Sequence, residues 1–105
     1  MMGKYKVDVS DPAEGDLRDI IRYISSELSV PITAMKMMDT IEKALTKLAD
    51  MPGSYPFVRD DRLASMGYRR LEIKNYTAFF TINEKEKTVN IERILYARRD
   101  WANLL

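Results

Sequence analysis

Tyr5, Val7 and Val9 alternate with Lys6, Asp8 and Ser10. A period of two marks a half-buried strand. Asp11-Pro12-Ala13-Glu14 follows. Asp11 suits an N-cap, Pro12 the first helical position, and Glu14 closes a capping box. Leu17, Ile20, Ile21, Ile24 and Leu28 then recur at helical spacing. One helix face collects them, and Arg18, Asp19, Arg22 and Ser26 fall mainly elsewhere. Ser29-Val30-Pro31 breaks this helix, because a residue before proline is disfavoured in the helical region. A second helix is expected from about Pro31 to Asp50, with Ala34, Met37, Met38, Ile41, Leu45 and Leu48 as its apolar positions. The short connection makes the two an antiparallel hairpin. Met51-Pro52-Gly53 ends it.

From Ser54 to Gly67 no period is visible, and the segment carries Pro56 and the cluster Arg59-Asp60-Asp61-Arg62. It reads as a long surface loop. Alternation returns at Tyr68 to Lys74, with Leu71 and Ile73 on one face and Arg70, Glu72 and Lys74 on the other. Tyr76 to Ile82 is a third strand, placing Tyr76, Ala78, Phe80 and Ile82 together. The polar run Asn83 to Lys87 is a hairpin loop, and Val89 to Tyr96 a fourth strand. Ala97 to Leu105 is expected to be a short helical turn or a tail. The order is β-α-α-β-β-β. It predicts an α+β fold, a helical hairpin packed on an antiparallel sheet.

Length and composition narrow the class. The chain has 105 residues, enough for one domain spanning 1–105. With 46% hydrophobic and 31% charged residues, the composition is that of a globular protein. There is no cysteine, so neither a disulfide framework nor a thiolate nucleophile is possible. There is no histidine either, which removes the usual neutral-pH base and the commonest metal ligand. No metal site and no cofactor are expected. Asp60-Asp61 in a loop makes a poor carboxylate cage. The opening Met1 to Lys6 holds no apolar run of signal-peptide type, and no stretch approaches the ~18 apolar residues of a membrane span. A cytoplasmic protein with no membrane contact is expected.

The net charge of +1 conceals an asymmetry. Residues 1–58 hold seven Lys/Arg against nine Asp/Glu, whereas residues 59–105 hold ten against seven. The strand-rich half is therefore the basic half, which weakly favours an anionic partner.

Three segments carry a resemblance that spans nearly the whole chain. They are Val7-Asp8-Val9-Ser10-Asp11-Pro12-Ala13-Glu14-Gly15-Asp16-Leu17, the strand pair Tyr68 to Ile73 and Tyr76 to Phe80, and, most specific, Ile91-Glu92-Arg93-Ile94-Leu95-Tyr96-Ala97-Arg98-Arg99-Asp100-Trp101. Together they resemble the RelE/ParE superfamily of type II toxin–antitoxin toxins, with the closing segment and the long helical hairpin nearer the ParE branch. The resemblance implies a growth-inhibiting toxin of a plasmid-stabilisation module, neutralised by a cognate antitoxin in a hetero-oligomer. ParE-like members inhibit DNA gyrase. RelE-like members are metal-independent, ribosome-dependent mRNA interferases.

RNA cleavage by 2′-hydroxyl attack needs a base, charge stabilisation at phosphate and an acid for the leaving oxygen. Arg70, Lys74, Arg98 and Arg99 are the candidates if the chain is a nuclease. The resemblance also marks what is missing: Thr77 stands where the nuclease branch has arginine, and no tyrosine follows Trp101. Gyrase inhibition needs only a surface, for which Arg70, Lys74, Tyr96, Arg98, Arg99 and Trp101 are the candidates. Each has a plainer reading, since alternate charges on a strand serve a solvated face and Trp101 can anchor the tail. Met35, Met38 and Leu28 are candidates for antitoxin binding, because methionine suits adaptable apolar surfaces. A non-toxic RNA- or protein-binding module remains an alternative. On an open sheet it would need stacking aromatics, and only Phe79 is available.

Overall fold

The computed structural model describes residues 4–27, 30–97 and 104–105. Strand β1 (Lys6–Val9) leads into helix α1 (Asp11–Arg22), which continues as a π-helical turn over Tyr23–Glu27. Helix α2 (Pro31–Thr46) ends in a 3₁₀ turn at Lys47–Ala49, and a second 3₁₀ turn spans Pro52–Ser54. A short helix α3 (Asp61–Ser65) precedes β2 (Arg69–Ile73), β3 (Tyr76–Asn83) and β4 (Thr88–Tyr96). The α+β class and the element order are those expected. Two details differ.

The first is the N-cap of α1. Ser10, not Asp11, occupies it: the Ser10 hydroxyl accepts from the Ala13 amide at 3.2 Å, and Asp11-Pro12 form the first turn. Ser10 is held there because its own hydroxyl also donates to the Glu92 carbonyl on β4 at 3.0 Å. A tertiary bond thus chooses between two adjacent capping residues that local preference ranks alike. The second is the region 54–67, expected as a plain loop. Asp60 caps α3 by accepting from the Leu63 amide at 3.0 Å, and Leu63 is buried. One turn of helix is too short to produce a readable period.

The sheet order is β1-β4-β3-β2. β2, β3 and β4 are antiparallel neighbours as expected, but β1 runs parallel to β4, so the sheet is mixed. The register sets Val7 beside Val89 and Val9 beside Ile91. α1 lies over β4, and α2 packs on α1 and reaches β2. The main core gathers Leu17, Ile20 and Ile24 of the first helical segment, Ile41 and Leu45 of α2, and Phe80, Val89, Ile91 and Ile94 of the sheet. Burying one large aliphatic side chain contributes about 1.5–3 kcal/mol, so this layer dominates the stability of the fold.

A bulge redirects β4. Phe80 faces Ile91 and Phe79 faces Arg93, leaving Glu92 without a partner residue. Strict alternation from Val89 would put Ile91, Arg93 and Leu95 on one face. The extra residue instead brings Ile91 and Ile94 to the helix layer and turns Leu95 to the opposite side. There Leu95 joins Phe79, Val58 and Leu63 in a second buried cluster, with Leu104 and Leu105 packed against it. Phe79, at 1% exposure, is therefore no open stacking platform. The sheet has a covered patch on each face.

Candidate functional site

Beside the second cluster the sheet face is concave. Arg59, Arg70, Glu72, Thr77, Phe79 and Ala97 line a depression of about 240 Å³. Arg70 and Glu72 come from alternate positions of β2, opposite Phe79 and Thr77 of β3. The Arg70 backbone amide donates to the Pro56 carbonyl, which pins the preceding loop along this edge. The Ala97 amide donates to Asn75 at 2.8 Å and fixes the end of β4 at the rim.

The basin lining carries two arginines and one carboxylate, and the carboxylate is spent on Arg70. Arg70 Nη1 donates to Glu72 Oε2 at 2.7 Å, and the Arg70 side chain is only 24% exposed. Its Nε is buried with no hydrogen-bond partner among the described residues. A bound phosphate would have to draw Arg70 away from a carboxylate on the same strand. On the same face, burial first and the Glu92 charge second push the Tyr68 phenol above its ordinary value, against the opposing pull of Arg62. Tyr68 thus stays protonated at neutral pH and is a poor proton acceptor. Among the described residues, no three carboxylates converge to hold a metal ion.

The other predicted positions are dispersed. Lys74 was placed on the strand face beside Arg70; it instead takes a φ of 56° in the two-residue turn between Ile73 and Tyr76. Closing so tight a hairpin demands positive φ, and this moves Lys74 to a separate depression with Asp39, Lys43 and Lys47. Tyr96 stands on the helix side of the sheet, 42% exposed, with its ring edge-to-face on Tyr76 at 5.8 Å and 72°. It therefore shares no depression with Arg70. Arg98, Arg99 and Trp101 lie outside the described residues, as does Leu28. Met38 is half-buried and lines an apolar groove with Leu17 and Ile21, rimmed by Glu14, Arg18 and Arg22. Met35, 73% exposed, opens instead on a shallow depression beside Ile32.

Sequence reasoning passed over two groups. Arg59 belongs to the basin but sits in the aperiodic segment, so no pattern pointed to it. Asp16 and Arg93 are the other pair. The Asp16 carboxylate accepts from Arg93 Nε and Nη2, both at 2.8 Å, and from the Ile94 amide at 2.9 Å. These residues lie 77 positions apart, in the opening and closing segments that carry the family likeness. The hydrogen bonding of Arg93 to Asp16 is the main cause raising the Arg93 pKa, with burial opposing it. Arg93 Nη1 also donates to the Leu104 carbonyl at 3.2 Å, tying the end of the chain to β4.

Comparison with known proteins fits this architecture. Among curated protein sequences none matches this chain. A chain of the chromosomal ParDE TA system from P. aeruginosa superposes with a TM-score of 0.75 at 19% identity, covering 92% of this chain and all of that one. A chain of the RelBE2 toxin–antitoxin complex from Mycobacterium tuberculosis gives 0.61 at 19% identity, over 89% of this chain and 98% of that chain. One from the archaeal RelE–RelB complex of Pyrococcus horikoshii OT3 gives 0.51 at 14%, over 91% and 98%. The sequence model of the ParE toxin of the type II toxin–antitoxin system parDE matches residues 7–101. With helices over a mixed sheet, the Asp16–Arg93 tie between its two signature segments and a family match over nearly its whole length, this chain belongs to the ParE toxin family and is a toxin of the type II toxin–antitoxin class.

Proposed function

We propose that this toxin arrests growth by binding DNA gyrase, and that it does not cleave RNA. The observation that carries the reading is the Arg70–Glu72 pair at 2.7 Å in the basin. A nuclease needs cations free to take phosphate charge as it develops in the transition state. Here the one basin arginine on β2 is paired with Glu72, Thr77 stands opposite Glu72, Arg59 is left as the basin's single further cation among the described residues, and the nearby phenol is held protonated. Binding a protein surface asks for none of these groups. Arg98 and Arg99 follow directly on Ala97 at the basin rim. We assign them, with Trp101, to target contact. Arg70 and Lys74 then serve the fold and its solvated faces, and Tyr96 stands apart from the target-contacting set on the helix side of the sheet.

The apolar groove of Leu17, Ile21 and Met38 suits an amphipathic antitoxin helix, with Glu14, Arg18 and Arg22 as its polar rim. The pair acts in the cytoplasm as a plasmid-stabilisation module, and residues 1–105 are a single toxin domain. The test runs purified chain in two assays side by side: supercoiling by gyrase, and cleavage of ribosome-bound message. Supercoiling should fall and the message should remain intact. Cleavage of the message with supercoiling untouched would overturn the assignment. An Arg98→Ala/Arg99→Ala double variant should lose gyrase inhibition while still binding antitoxin.

A further inference from the structure

A cavity lies on the helix side of the sheet, away from the basin. It measures about 650 Å³ and opens between the end of α1 and the ends of β3 and β4. Its walls are Ile20 and Tyr23 from the first helical segment, Tyr76 from β3, and Ile94 and Tyr96 from β4. The charged side chains lining it are two carboxylates, Asp16 and Asp19, whereas each of the other depressions described above has at least one Lys or Arg in its lining. An anionic, aromatic cleft is conspicuous on a chain whose net charge is positive.

The rings are arranged for a cation. Tyr76 and Tyr96 meet edge-to-face at 5.8 Å and 72°, so they present faces in two directions. Tyr23 is exposed and close enough to influence the Tyr76 phenol. The negative ring faces attract a guanidinium or ammonium, and a planar guanidinium also stacks on them. Asp19 supplies the counter-charge. Its present partner, Arg22 at 3.3 Å, is a solvent-exposed pair that exchanges at little cost. Asp16 at the cleft is already taken up by Arg93 and the Ile94 amide, so it shapes the wall and leaves Asp19 to meet the ligand.

We propose that this cleft receives an arginine side chain from the antitoxin, stacked on the exposed ring face of Tyr96 beside Tyr76 and paired with Asp19. The proposal rests on the antitoxin-partnered reading above and adds an anchor outside the apolar groove. A capped Gly-Gly-Arg-Gly-Gly peptide and its neutral citrulline counterpart are the probes, followed by amide and tyrosine-ring NMR shifts of the intact chain. The arginine peptide should move signals of Tyr23, Tyr76, Tyr96 and Ile94, and bind at least about fivefold more tightly than citrulline. Tyr96→Leu and Asp19→Asn should each weaken it about fivefold with no change in melting temperature. Arg22→Ala, by freeing Asp19, should tighten it about twofold. Equal binding of both peptides, or shifts elsewhere on the surface, overturns the proposal. With the antitoxin encoded beside this gene, Tyr96→Leu should raise Kd about tenfold. An unchanged Kd overturns the cleft while leaving neutralisation intact. Failure of the wild-type chain to bind any antitoxin sinks the broader reading, and the peptide result stands apart from it.

Discussion

Replacing Asp16 by alanine should be among the most damaging polar substitutions in this chain. The carboxylate accepts two hydrogen bonds from Arg93 and one from the Ile94 amide, and its side chain is 11% exposed. β1 pairs with β4 only as far as Ile91, after which the chain turns into α1. Asp16 satisfies the edge of β4 beyond that point. Its removal leaves the Ile94 amide unpaired, at a cost of about 1–3 kcal/mol. It also leaves a guanidinium without its counter-charge. For a fully buried pair that loss reaches about 3–5 kcal/mol. At 26% exposure Arg93 can rehydrate in part and keeps its bond to Leu104, so its share falls below that range, to about 1–2 kcal/mol. We expect about 3 kcal/mol in all, a fall in melting temperature of roughly 12–20 °C for a domain of this size. Arg93→Lys keeps the charge but not the two-pronged contact, and should lose about half as much. A double-mutant cycle of Asp16→Ala with Arg93→Ala, by urea denaturation, should return a coupling of about 2 kcal/mol. A coupling near zero, or a loss under about 1 kcal/mol for Asp16→Ala, would refute the account of this pair as the clamp between the two signature segments.

Three further outcomes follow from the fold. Ser10→Ala should cost about 1 kcal/mol by chemical denaturation, and more than Asp11→Ala, because the Ser10 hydroxyl is the cap and also binds Glu92. Phe79→Ala should destabilise by about 3–5 kcal/mol, as expected for an aromatic in a closed cluster and not for one on an open sheet face. Burial first, then Tyr96 and Tyr23, raise the Tyr76 phenol above its ordinary value. The folded pKa exceeds the unfolded one, so this contribution is present below about pH 10 and is lost as pH rises through the folded value. Tyr76→Phe should flatten the alkaline arm of the stability curve measured by thermal melts, and an unchanged arm would count against a shifted Tyr76.

The local elements were legible because their signals are local. Leu17, Ile20, Ile24, Ile41 and Leu45 repeat at helical spacing and all are buried in one core. Tyr76, Ala78 and Phe80 alternate as a strand must and face the same layer. The three antiparallel strands could be ordered because short turns leave neighbouring strands little choice. The family likeness lay in the same stretches, including both ends of a contact that the sequence does not display as one.

What the amino-acid order could not decide depends on residues brought together from far apart. Parallel pairing of β1 with β4 spans the whole helical layer, and nothing in either strand encodes direction. The bulge at Glu92 shifts Leu95 to the far face, where α3 and the chain end cover Phe79. Whether an arginine is a free phosphate contact or half of an ion pair was settled at Arg70 by the position of Glu72, and at Arg93 by a carboxylate on another element. Periodicity fixes which side of an element is apolar, since that depends on spacing alone. Charge pairing, strand direction and cavity walls depend on distances across the folded chain, and those exist only once the layers have packed.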